Sequence, residues 1–208
     1  QLSAMTFSLA FLSATLFWKI RKRDLSKLFE QPITAWIVGV FGLFGYHVLY
    51  FTAIRHAPPI QVSLIAYLWP LMIVVFSAFL PREKLRWFHL AGAISGLIGT
   101  LVLFSPELLN QDEVNFNLFF GYATAFLCAC IWTVYSLLSR QLFMVPTDLV
   151  IGYCGITALL SFMCHLFFEV TIWPSSTLEC FAIIALGLGP VGIAFLTWDY
   201  GIKNGNIQ

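Results

Sequence analysis

The chain alternates long apolar runs with short polar interruptions. A helix needs about 20 mostly apolar residues to cross the hydrocarbon core of a bilayer. Stretches of about that length are Leu2–Trp18, Ile33–Ile54, Ile60–Leu80, Trp87–Phe104, Leu118–Leu138, Leu149–Phe168 and Leu178–Ile202, spans A to G below. A membrane β-barrel would instead alternate apolar and polar positions over strands of about 10 residues, and the unbroken runs exclude it. Helix-start chemistry sits in the interruptions. Pro58-Pro59 opens C, Thr147-Asp148 opens F, and Ser176-x-x-Glu179 is a capping box opening G. The pattern predicts an all-α polytopic membrane protein, a bundle of transmembrane helices.

Composition agrees. Hydrophobic residues make up 60% of the 208 and charged residues only 10%, where a soluble domain carries about 25% charged. Disordered chains, nucleic-acid binders and almost all soluble enzymes are excluded, and the net charge of +1 gives no pull toward nucleic acid. Cys128, Cys130, Cys154, Cys164 and Cys180 all lie in apolar stretches and read as small buried side chains. Residues two apart on a helix point about 200° apart, so Cys128 and Cys130 cannot share an ion. No metal and no cofactor is expected. The lipid bilayer is the one partner that composition requires; oligomeric state is open.

Charge sets the orientation. Loop A–B holds Lys19, Arg21, Lys22, Arg23 and Lys27, and loop C–D holds Arg82, Lys84 and Arg86. Arg140 opens loop E–F and Lys203 follows G, which puts 10 of the 11 basic residues on alternate loops and leaves Arg55 alone on the other side. Loop D–E, Ser105 to Asn117, carries Glu107, Asp112 and Glu113. Basic loops face the cytoplasm, so residue 1 is expected at the outer side. The basic cluster follows the first apolar run instead of preceding it, which is not the arrangement of a cleaved signal peptide. The chain opens almost inside A and closes just past G, so both ends of a longer protein are expected to be missing.

One internal match stands out. Ala53-Ile-Arg-His-Ala57 is similar to Gly201-Ile-Lys-Asn-Gly205, 148 residues on, and Gly39, Gly42 and Gly45 in B answer Gly187, Gly189 and Gly192 in G, though not position for position. B and G would run in opposite directions. Inverted repeats are a transporter signature, with the substrate site near the midplane where the halves meet.

The stretch from Gly42 to Phe79, with Arg82-Glu-Lys before a glycine-rich D and Trp132-Thr-Val-Tyr in E, resembles the drug/metabolite transporter superfamily, EamA type. Tyr67-Leu-Trp-Pro70, with Tyr46-His47 and Tyr50 upstream, looks most like its YddG-type branch of bacterial aromatic amino acid exporters. The resemblance implies part of a ten-helix inverted-repeat (5+5) transporter around a central cavity, in the bacterial cytoplasmic (inner) membrane. Residues 1–108 would be the first EamA repeat without its first helix, and 118–208 the second without its last two. The implied function is secondary export of small amphipathic metabolites, aromatic amino acids above all, by alternating access.

The residues themselves support two readings at most positions. Tyr46, His47 and Tyr50 fall within about 100° on one face of B, roughly mid-span, where polar-tipped aromatics need partners or a wet cavity. They line a substrate cavity or pack between helices, and His47 either carries a coupling proton or is a neutral hydrogen-bonding group. Pro70 removes a helix bond near the Ala66 carbonyl, so C is expected to kink there; either a freed carbonyl beside Tyr67 and Trp69 receives an ammonium group and a flat ring, or the proline only shapes the helix. Trp132, Tyr135, Ser136 and Ser139 form a polar stripe on E, read as cavity lining or as interhelical hydrogen bonding. Gly187, Gly189, Pro190 and Gly192 make G a bending gate helix or a site of close packing, and Gly92-x-x-x-Gly96 on D reads as packing. Asp199 is a coupling carboxylate or the partner of Lys203 four residues on. His165 and Glu169 read as an interfacial pair.

No Walker A motif and no His-Glu-x-x-His is present. Ser95 is the nearest approach to a membrane serine nucleophile, and its helix offers no second catalytic group. An enzyme is not expected. Multidrug or other metabolite export on the same fold, and a non-transporting membrane scaffold, are the alternatives.

Overall fold

The computed structural model describes residues 1–22, 24, 26–80, 86–108 and 116–205, the side chains of 100, 101 and 103–108 excepted. Arg23, Arg82, Lys84, Asp112 and Glu113 of the charged loops lie outside the described residues. Every described element is helical: α1 (Leu2–Ile20), α2 (Ser26–Phe29), α3 (Ile33–Val40), a π-turn (Phe41–Gly45), α4 (Tyr46–His56), α5 (Pro59–Ala66), α6 (Trp69–Phe76), a 3₁₀ turn (Ser77–Phe79), α7 (Trp87–Leu108), α8 (Phe116–Gln141), α9 (Leu149–Phe168), α10 (Thr177–Leu188), a second π-turn (Gly189–Ile193) and α11 (Ala194–Asn204).

Among the described residues, six stretches are long and apolar enough to cross a membrane: Leu2–Ile20, Ile33–His56, Pro59–Phe79, Phe116–Gln141, Leu149–Phe168 and Thr177–Asn204. This is a multi-pass membrane protein. The seventh expected span, D, is helical as α7, but its apolar length among the described side chains is Trp87–Gly99, short of a crossing. The start signals act unequally. Pro58 caps α5 with extended backbone, and Ser176 accepts a hydrogen bond from the Glu179 amide (3.2 Å). The Glu179 carboxylate reaches Ser175 N–H (2.7 Å) in place of the Ser176 amide that a strict capping box would use. Asp148 occupies the cap of α9 without a side-chain cap bond.

Two compact units divide the described chain, residues 1–44 with 139–205 and residues 45–138. In the first, α1 packs on α9 and α10, and α3 packs on α9. Lipid tails are as apolar as the side chains, so close approach at small residues drives such packing. The structure shows where. A Cβ on Gly152 would lie 2.4 Å from the Trp36 ring, and one on Gly39 would lie 2.2 Å from the Tyr153 ring. Each glycine of the α3–α9 pair therefore seats an aromatic of the other helix, and the two rings meet edge to face at 5.8 Å. Phe29 of α2 stacks on Trp36 at 6.2 Å.

Gly152→Ala and Gly39→Ala should therefore each lower the melting temperature of the detergent-purified protein, at an overpacking cost of about 1–3 kcal/mol. Gly92→Ala is the control, because a Cβ there meets nothing within 4 Å. A Cβ on Gly96 is equally open. The Gly92-x-x-x-Gly96 motif thus does not seat a neighbouring helix among the described residues, contrary to the sequence expectation.

At the far end of α9, His165 is held from both ring nitrogens, by Glu169 (3.1 Å) and Thr171 (3.0 Å). The expected i, i+4 pair is present, and it also anchors the extended segment that follows the helix.

The second unit pairs α4 with α5, α6 with α7, and α5 with α7. Ala53, Ala57, Val62 and Ala125 form its small-residue core, and a Cβ on Gly121 would meet Ala57 Cβ at 2.6 Å. Span C breaks where Pro70 requires. α5 ends at Ala66, Leu68 N–H falls back to the Ile65 carbonyl (3.1 Å), and α6 restarts at Trp69.

Candidate functional site

The second unit gathers the aromatic residues of three spans. On α4, Tyr46 and Tyr50 stand one turn apart with rings 6.1 Å apart and nearly parallel, at 4°. The one-turn spacing puts them on the same face. Trp132 of α8 meets Tyr46 edge to face at 5.2 Å, Tyr135 at 5.1 Å and Trp69 of α6 at 6.3 Å. His47 lies against Tyr46 at 5.3 Å and Phe51 at 6.4 Å. These centroid distances fall in the range of favourable aromatic pairs. Trp132 is the hub, and only 6% of it is exposed.

Hydrogen bonds fix the hub's supports. Ser63 donates to the Pro59 carbonyl (2.7 Å), which leaves its oxygen to accept from the Tyr50 hydroxyl (3.1 Å) and ties α4 to α5. Thr133 donates to Ala129 O (2.8 Å) and lies 3.5 Å from Trp69 O. The Cys128 thiol donates to Tyr46 O at 3.4 Å. Tyr135, Ser136 and Ser139 are all buried, so the polar stripe of α8 faces inward as its spacing predicts. Tyr67 stands in the break of span C itself and is 67% exposed.

Phe51 and Thr133 were given no role by sequence, Ser63 was placed only on the face of Tyr67 and Pro70, and Cys128 was read only as a small buried side chain. Cys128 precedes Trp132 by four positions and Tyr135 follows it by three, so extending the stripe one turn backward would have found the thiol.

The first unit holds the other expected residues. Lys203 lies 2.7 Å from the Asp199 carboxylate and 3.0 Å from the Val145 carbonyl; the two side chains are 6% and 1% exposed. Arg140 donates to Ile202 O (2.6 Å) and Gly205 O (2.5 Å), closing the open carbonyls at the end of α11. Gly187 is a close-packing glycine, since its Cβ would lie 2.9 Å from Leu9 Cβ and 3.0 Å from Thr6 O of α1. Gly189, Pro190 and Gly192 instead form the second π-turn. The glycine-rich segment thus serves packing at one residue and helix distortion at the next three.

The chain is similar to known proteins. The chain is 47% identical along its full length to the aromatic amino acid exporter YddG of Ancylobacter novellus, spanning 71% of that relative. It is 26% identical to the aromatic amino acid exporter YddG of Escherichia coli over 74% of this chain and 54% of that one. A solved crystal structure is similar over 99% of this chain and 70% of its own length, with a TM-score of 0.87 and 48% identity. Residues 2–105 match the EamA-like transporter family. Helical spans, an interior aromatic cluster and these likenesses agree, and the chain belongs to the EamA-like transporter family.

Proposed function

We propose that this chain forms most of a secondary exporter of small amphipathic metabolites, aromatic amino acids first, working by alternating access. The observation that carries the reading is the cluster of Tyr46, Tyr50, Trp69, Trp132 and Tyr135 inside a membrane unit. Such a cluster offers ring faces to a flat substrate, and hydroxyls and the Pro70 break offer polar contacts to its ammonium and carboxylate. Two relatives named as aromatic amino acid exporters support the same substrate class. In this reading residues 1–108 and 118–208 belong to two inverted repeats, and the basic loops face the cytoplasm.

Anionic cargo such as a sugar phosphate would need uncommitted positive charge. Of the two candidate charges, Arg55 stands in the last turn of α4 at a span end and Lys203 is engaged by Asp199 and Val145, which weighs toward zwitterionic over anionic substrates. His47 is the residue we assign to any proton coupling; the buried pairing of Asp199 favours a structural role for it.

The deciding experiment is counterflow of labelled phenylalanine in proteoliposomes holding the full-length protein, with tryptophan, threonine and a cationic drug as competitors. Uptake blocked by tryptophan alone supports the reading. Binding of the drug without phenylalanine uptake moves the function to multidrug export, and no binding at all to a scaffold. Tyr67→Ala and Trp69→Ala should each slow phenylalanine counterflow about tenfold at unchanged membrane levels, equivalent to losing roughly 1.4 kcal/mol of transition-state or binding energy. Parent rates in both would remove these two residues from the site.

A further inference from the structure

Spans B and G share a defect that their sequences do not share. The first π-turn covers Phe41–Gly45 and the second Gly189–Ile193, 148 residues on at both ends. The same offset relates the helices after them, Tyr46–His56 and Ala194–Asn204, residue for residue at each boundary. It also relates the caps, where Ala57 N–H bonds Ala53 O (2.9 Å) and Gly205 N–H bonds Gly201 O (2.7 Å). The residues filling the turns differ, Phe-Gly-Leu-Phe-Gly against Gly-Pro-Val-Gly-Ile. What recurs is the geometry.

A π-turn is one residue inserted into an α-helical ladder, so its bonds reach five residues back and the turn is wide. Ala194 N–H bonding Gly189 O is such a bond. The width has a steric signature. A Cβ on Gly192 would lie 2.9 Å from the Gly187 carbonyl five residues earlier, backbone that cannot move aside. Pro190 supplies no N–H for an ordinary α bond, which stabilises the insertion in G. In B the position 148 residues before Gly192 is Phe44, so the first turn forms without a glycine there and without a proline. The division between the two compact units falls between Phe44 and Gly45, inside the first of these turns. Broken ladders are where helices kink.

We propose that the two π-turns are a matched pair of bending points, α4 swinging about 41–45 and α11 about 189–193 as the protein exchanges access states. The proposal rests on the transport reading above and adds the elements that move.

The test deletes Phe41, Pro190, or both, in the full-length protein. Removing the inserted residue converts each π-turn to an α-turn while the flanking helices keep their faces. Phenylalanine binding should persist, while counterflow should fall about tenfold in each single deletion and further in the double. Spin labels at positions 12 on α1 and 200 on α11, in a background with native cysteines replaced by alanine, report the bend directly. The parent should show a broad or two-component distance distribution, and the Pro190 deletion a single narrow one.

Parent-rate counterflow in the double deletion, or an unchanged distance spread, overturns the proposal. A parent that moves no phenylalanine sinks the transport reading instead, and the distance data still decide the bending. If the deletions fail to insert, Pro190→Ala restores the missing donor in place. Counterflow and distance spread at parent values in that variant overturn the proposal equally.

Discussion

Trp132→Ala should weaken phenylalanine binding by about 10- to 100-fold, the largest functional loss expected from any single substitution in the aromatic cluster. Trp132 is in contact with Tyr46, Tyr135 and Trp69 at 5.1–6.3 Å. Each aromatic pair of this geometry contributes about 0.5–1.5 kcal/mol beyond simple burial. Removing the hub frees three rings at once to change rotamer, so the surface offered to a substrate loses both area and definition. At about 1.4 kcal/mol per decade, two such contacts account for the predicted loss. Trp132→Phe keeps a flat ring and should retain affinity within about threefold to tenfold.

The competing reading, helix packing without a substrate role, makes a different prediction. Truncating a buried Trp costs about 3–5 kcal/mol of stability, so the protein would melt earlier. Molecules still folded would nonetheless bind phenylalanine as the parent does. Isothermal titration on the monodisperse fraction, set beside the melting temperature, separates the two. Parent affinity with reduced stability would assign Trp132 to packing alone.

How legible was this in the sequence? Span F is observed as Leu149–Phe168, the range its apolar run predicts, because polar residues bound it sharply on both sides. The break in C was also readable, since Pro70 has a local, steric consequence. So was the aromatic cluster's membership on α4 and α8, which follows from 3.6-residue spacing. The π-turn in B was not legible, and in G the glycines and Pro190 offered a bend as one reading without showing the inserted residue. One inserted residue shifts the register by about 100°, a shift visible only where one face is polar and the other apolar. Phe41–Gly45 is apolar throughout, so nothing in the pattern marks the slip.

The packing glycines were ambiguous for a related reason. Gly39 and Gly152 seat aromatic rings, whereas Gly92 faces open space, and no local feature of sequence distinguishes them. What distinguishes them is the residue across the interface, which sequence order does not supply. Asp199 and Lys203 were visible as an i, i+4 pair. Their burial was not, because it comes from Val145 in the α8–α9 connection and from the packing of α11 on α9.

That burial makes the Asp199–Lys203 pair the place where the largest stability changes are expected. Asp199→Ala leaves the Lys203 ammonium without its carboxylate partner in a nearly dry site, and breaking a buried pair from one side costs about 3–5 kcal/mol. Lys203→Met strands the carboxylate instead and should cost a similar amount. It also removes the donor to Val145 O, adding about 1–3 kcal/mol for a carbonyl left without its bond. The double variant Asp199→Leu with Lys203→Met removes both charges together. Apolar replacement of a whole buried pair is often neutral or stabilising, so most of the loss should return, less the Val145 bond. Arg140 holds the Ile202 and Gly205 carbonyls independently, so the end of α11 stays closed in all of these variants.

Melting temperatures of the purified full-length protein give the cycle, and counterflow under an imposed pH gradient gives its meaning. Two destabilised singles with a recovered double that still responds to the gradient assign Asp199 to holding α11 against the α8–α9 connection. A stable Asp199→Asn protein that transports downhill but ignores the gradient would assign the carboxylate to coupling, and the ion pair would then be incidental to stability.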